Sequence, residues 1–175
     1  MNRLFTISCC ILIASIPAVS QKKAPEGKAM TDQQFVDFAA QTDMVEANLG
    51  QLAQNVASSQ EVKDYGSMLD TDHTADYKQL TDTAKQANLT VPTAIDAEHN
   101  KMMITPFQKI KGAAFDHKYA QEMVAGHTKA VAIYKKEASD AQNDALKSYA
   151  QAALPTLEKH LSSAKDLGKA KPSAK

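Results

Sequence analysis

The sequence predicts an all-α protein, a four-helix bundle with a short helical connector between its second and third long helices. Apolar residues recur at three- and four-residue steps in four long stretches. Capping patterns stand where those stretches begin, and no run alternates as a strand would. Composition agrees: 175 residues, 43% apolar, no Trp, 6 Gly and 6 Pro fit a helical globular domain rather than a disordered chain or a β-sandwich.

In the first helix, Thr31-Asp32-Gln33-Gln34 forms a capping box, followed by the stripe Phe35, Phe38, Thr42, Val45, Leu49, Leu52, Val56. Ser58 to Glu61 is a second box, opening the stripe Val62, Tyr65, Leu69, His73, Tyr77, Leu80, Ala84, which frays near Asn88. Thr93 to Gly112 reads as a connector of one or two short helices, with Thr105-Pro106 as a cap and first-turn proline. It either runs the length of the bundle, as in ferritin-like folds, or folds back locally. The third long helix begins between Gly112 and Asp116 and carries Phe115, Tyr119, Met123, His127 and Tyr134. A box at Ser139 to Gln142 opens the fourth, with Leu146, Tyr149, Ala153, Leu157, His160, Ala164 and Leu167, ending at Gly168. Pro155 should kink it or open a carbonyl. Each helix is roughly 40 Å long at 1.5 Å per residue.

The chain divides into a signal peptide (1–20), a linker (21–30), the bundle (31–168) and a basic tail (169–175). The signal has Arg3, the apolar run Leu4 to Ile16, and Ala18-x-Ser20 as the cleavage pattern before Gln21. Cleavage there predicts a periplasmic protein with no membrane span. Both cysteines, Cys9 and Cys10, would leave with the signal, which excludes disulfides and thiol chemistry. A formal net charge of zero argues against nucleic-acid binding. The basic tail could make weak contact with an anionic surface.

Function turns on three histidines at stripe positions where apolar residues are expected: His73, His127 and His160. Glu46 lies beside the first stripe, and Asp70 shares the face of His73. Counted from the turns, Glu46, His73 and His127 stand at mid-depth, about 18 to 22 Å from a bundle end. His160 lies about 30 Å along its helix, some 10 Å out of level. His99 and His117 lie off any seam. Tyr65 with His73-Thr74 and Tyr119 with His127-Thr128 repeat one spacing.

Two readings follow. Either each seam histidine is neutral and bonds a Tyr, Thr or carboxylate across the bundle, or Glu46, His73 and His127, with Asp70 or His160, hold a divalent metal such as zinc, iron or manganese. A di-iron oxidase needs more carboxylates than these helices offer. Met102-Met103 could bind soft copper but fits a connector packing on the bundle. The first functional expectation is a non-enzymatic structural, protective or interaction protein; the second is a metal- or small-ligand-binding bundle. An acid sensor is a third, since buried neutral histidines must charge as pH falls.

Several motifs together resemble a known family: Phe35-Val36 with Ala39-Ala40, Met44-Val45-Glu46, MLDTDHT at 68–74, GAAFDHKY at 112–119, Gly126-His127, and LPTLEKHL at 154–161. They resemble the bacterial exported family called domain of unknown function 4142. The resemblance implies a ferritin-like helical bundle and no established activity or cofactor. Its recurring histidines correspond to His73, His127 and His160, with Asp72 and Asp116 beside the motifs. The outer-membrane label sometimes attached to the family finds no barrel strands here.

Overall fold

The computed structural model describes residues 30–169. The signal segment, nearly all of the linker and all of the tail but Lys169 lie outside the described residues. Within them the protein is all-helical: α1 (Asp32–Val56), α2 (Gln60–Gln86), α3 (Ala97–His99), a π turn (Asn100–Ile104), α4 (Thr105–Gln108), α5 (Ala113–Asp140) and α6 (Asp144–Leu167). Among the described residues there is no strand, and no helix is long and apolar enough to cross a membrane.

The long helices pack as two antiparallel hairpins, α1 with α2 and α5 with α6; α2 lies against α6 and α1 against α5. The end where α1 begins is the head of the molecule, the end where it finishes the foot. The connector runs from head to foot along α1. Gln33 bonds the Thr90 backbone near the head. Buried Gln41 bonds Ala94 and Asp96 further down. At the foot the Gly112 amide donates to the Val56 carbonyl at 2.7 Å. Of the two connector paths left open by the sequence, the chain takes the lengthwise one. Gly112 starts α5 with φ of 63°, a backbone shape that glycine adopts without strain.

The Thr31–Gln34 capping box forms as expected. The other two boxes do not. The cap of α2 is Ser59, which accepts from the Val62 amide. Ser58 instead bonds Asp116, whose carboxylate also accepts from the Ser58 and Ser59 amides and so clamps the α1–α2 turn to the first turn of α5. Ser139 stays inside α5, and Asn143 caps α6 by accepting from Ala145 and Leu146. Thr105 spends its hydroxyl on the Asn100 carbonyl within the π turn rather than on a cap. The α6 helix runs unbroken past Pro155.

Helices α1 and α2 approach closely at a glycine pair. A Cβ on Gly50 would stand 2.5 Å from the Gly66 carbonyl oxygen, so neither position has room for a side chain. Seven residues along each helix, about 10 Å headward, lie Asp43 and His73. The close crossing therefore sets the separation at which those two meet.

Two apolar clusters fill the interior. The head cluster centres on Phe35, Leu80, Tyr134, Leu146 and Tyr149, the foot cluster on Leu49, Leu69, Phe107, Phe115, Tyr119 and Met123. Between them is a polar layer.

A histidine layer as candidate metal centre

Asp43 and Glu46 from α1, His73 from α2, His127 from α5 and His160 from α6 form this layer, all buried. One ring nitrogen from each histidine lies within 4.8 Å of those of the other two. Ring centroids are 5.8 Å apart for His73 and His127, and 5.2 Å for each to His160.

Each ring is held from outside. His73 Nδ1 bonds Asp43 Oδ1 at 2.9 Å. His127 Nδ1 donates to the Met123 carbonyl one turn back on its own helix, at 2.9 Å. His160 Nε2 donates to Asp72 Oδ2, also at 2.9 Å. The other nitrogen of each ring, His73 Nε2, His127 Nε2 and His160 Nδ1, is buried without a hydrogen-bond partner. A neutral imidazole has one N–H and one lone pair. With the N–H spent outward, the lone pair is left on the remaining nitrogen. Metal-binding histidines are oriented in this way, by a carboxylate or carbonyl on the non-ligating nitrogen.

Charge states suit this for two of the three rings. Burial pushes His127 down to about 3, helped by the charges of His73 and His160. Burial also lowers His160, to about 4, against the opposing bond to Asp72. Both are therefore neutral near pH 7, with lone pairs free. His73 differs: burial pulls it down, but its bond to Asp43 and the charges of Asp43, Glu46 and Asp76 outweigh that and leave it raised. Burial lifts Asp43 to about 7 against the pull of His73, and lifts Glu46 to about 7 as well. Asp43 Oδ2 and Glu46 Oε2 are also buried and unpartnered. Gly126 on α5 makes room for Glu46, since a Cβ there would stand 3.2 Å from its Oε1.

The structure brings together His73, His127 and His160, with Glu46 beside them. The expected level of His160 was wrong. Its helix begins at Asp144, four residues later than the Ser139 box implied, which removes about 6 Å of the 10 Å offset. From the head, His73 is then 13 residues from the helix end, His127 13 and His160 16. Asp70 does not reach the layer; it accepts from Gln51 on the surface between α1 and α2. His99 pairs with Asp96, and His117 with Gln121, both exposed. Met103 packs on the foot cluster while Met102 is exposed. The repeated Tyr–His spacing has a spatial meaning: α2 and α5 run parallel, so Tyr65 meets Tyr119 at 6.1 Å two turns below the level where His73 meets His127.

The stripes single out neither Asp43 nor Asp72; Asp72 enters only through the family motif beside His73. Asp43 had a legible signal, because Val36, Ala39, Ala40, Asp43, Glu46, Gly50 and Ala53 form a second helical stripe containing two acids. The Met123 carbonyl had none.

Fold and site together define an all-helical protein with a buried triad of histidines converging at one level. The chain belongs to the family described as a domain of unknown function, DUF4142, whose profile matches residues 17–167. This is the family that its motifs resemble. No curated protein matches the sequence. Among solved structures, "CopM in the Cu(II)-bound form" is similar with a TM-score of 0.66 at 15% identity, covering 81% of this chain and 97% of that one. CopM in the Ag-bound form gives 0.63 at 15%, covering 80% and 96%. At that identity the likeness is one of fold.

Proposed function

We propose that this protein is an exported, ferritin-like four-helix bundle that binds one transition-metal ion through His73, His127 and His160. The observation that carries the reading is the set of three buried, unpartnered ring nitrogens, one from each of three helices, on rings whose other nitrogens are fixed. Leaving such atoms unpaired costs the folded state. A shared ion would satisfy all three at once. Bonds of about 2.0 Å ask for nitrogens roughly 3.3–3.5 Å apart, so the three rings, within 4.8 Å of one another, would close on the ion. Three imidazoles suit copper or zinc, whereas manganese prefers carboxylates and water. CopM, the similar fold, has been solved with Cu(II) and with Ag. Glu46 would offset the ion's charge from beside the triad; Asp70 takes no part. Export is supported by the signal-like sequence of residues 1–20. Withdrawing a reactive ion from solution is a protective role, which joins the two functional expectations.

The test is a titration of metal-free protein with Cu(II) and Zn(II). The reading expects one ion bound per chain and a rise in melting temperature that a chelator reverses. At a hundredfold excess over Kd the stabilisation is about 2.7 kcal/mol. His127→Leu should abolish it. Melting of the unaltered protein that neither ion moves would contradict the reading.

A further inference from the structure

A cleft of about 220 Å³ opens between α2 and α6 at the level of the histidine layer. Its floor includes His73 and His160, which are 2% and 0% exposed. Each of these rings has a buried nitrogen with no partner. Half-buried Asp72 and Asp76 line the cleft above them, and exposed Ala152 and Thr156 stand at its rim on α6. Both carboxylates are fixed in place: Asp72 accepts from His160, and Asp76 accepts from the Tyr149 hydroxyl at 2.7 Å. The volume holds several waters at about 30 Å³ each, enough for a cation that keeps part of its hydration shell.

We infer that this cleft is the route by which a hydrated divalent cation reaches the triad. The inference rests on the metal-binding reading above and adds a direction of approach and two residues that serve it. Asp72 and Asp76 draw the ion in from solution. His160 and His73 then replace its waters with imidazole nitrogens, and His127 completes the set from behind. The two acids act on the rate of capture, because they stand between solvent and the ring nitrogens. A positive charge at the rim opposes them; the same charge on another face at the same depth does not. Thr156 on α6 and Thr128 on α5 supply that contrast. Both are exposed, and Thr128 is next to His127 in sequence but does not line the cleft.

The experiment is stopped-flow loading of full-length, metal-free protein with Cu(II) at low ionic strength, followed by the absorbance of copper bound to imidazole. Thr156→Arg should slow loading about tenfold while still taking up one ion per chain. The deficit should shrink as salt is added. Thr128→Arg should load at the rate of the unaltered protein. Circular dichroism of both variants should match it, since both changes are on exposed helical surface. Equal rates for Thr156→Arg and the unaltered protein would overturn the inference. So would an equal slowing by Thr128→Arg, which would mean that overall charge rather than this route sets the rate. Failure of the unaltered protein to take up Cu(II) would remove the metal-binding reading itself, a distinct result.

Discussion

The head cluster and the histidine layer are both buried, yet they are finished to different degrees. In the head cluster Phe35 packs edge-on against Tyr134 at 5.1 Å, and the buried hydroxyls of Tyr134 and Tyr149 find each other and then Asp76. In the layer two turns below, all three histidines and both acids keep an unpartnered polar atom. Tyr119 of the foot cluster does so as well. The head cluster satisfies the hydroxyls it buries. The layer leaves five residues short while the other polar atom of four of them, Asp43 and the three histidines, is bonded, which is the pattern the proposed metal site requires.

This contrast makes opposite expectations for substitutions in the two regions. Phe35→Ala opens a cavity in the finished region and should cost about 3–5 kcal/mol in chemical denaturation. The folded fraction should still take up metal. Gly50→Ala forces a methyl against the Gly66 carbonyl and should cost roughly 1–3 kcal/mol by the same assay. It should also weaken metal binding by spreading α1 from α2 near Asp43 and His73. His127→Leu inverts the pattern. Replacing an unsatisfied polar ring with an apolar one should change metal-free stability by less than about 1 kcal/mol, or raise it, while the metal-induced melting shift disappears. A large loss of metal-free stability on His127→Leu would mean that the layer is a structural polar network, the other sequence reading.

Acid sharpens the contrast further. His127 and His160 titrate in the folded state at about 3 and about 4, below the ordinary 6.5. The stability they lend is present above about pH 6.5 and falls away as pH drops toward 4. Asp43 and Glu46 are shifted the other way, to about 7. Their contribution is present at low pH and is lost as pH rises through 7. The raised His73 adds to the second set. The two sets oppose each other, so metal-free protein should melt at nearly constant temperature between pH 7 and 5. Glu46→Gln removes one opposing group, and its melting temperature should fall more steeply on acidification. Parallel profiles for the two proteins would show that Glu46 carries no such shift.

Much of this was legible in the sequence, and the failures share a cause. The four stripes gave four long helices because burial of an apolar face dominates helix placement. The histidines stood out because each interrupts such a stripe. The levels were less secure, since they depend on where each helix begins, and a Ser-x-x-Gln pattern is a cap only if the chain turns there. Ser139 sits where α5 still continues, and that four-residue slip put His160 out of reach. Asp70 and Asp72 pose the same difficulty more sharply. They precede His73 by three positions and by one, yet one faces Gln51 and the other His160. Only the packing of α6 against α2 decides which acid serves the site.

The central claim is that three imidazoles converge on one ion. X-ray absorption of protein loaded with a single equivalent of Cu(II) or Zn(II) tests it most directly. The bound ion should show three imidazole nitrogens at about 2.0 Å, reduced to two by His127→Leu in whatever metal that variant retains. A shell of oxygen or sulfur with fewer than two imidazoles, or one unchanged by that substitution, would contradict it.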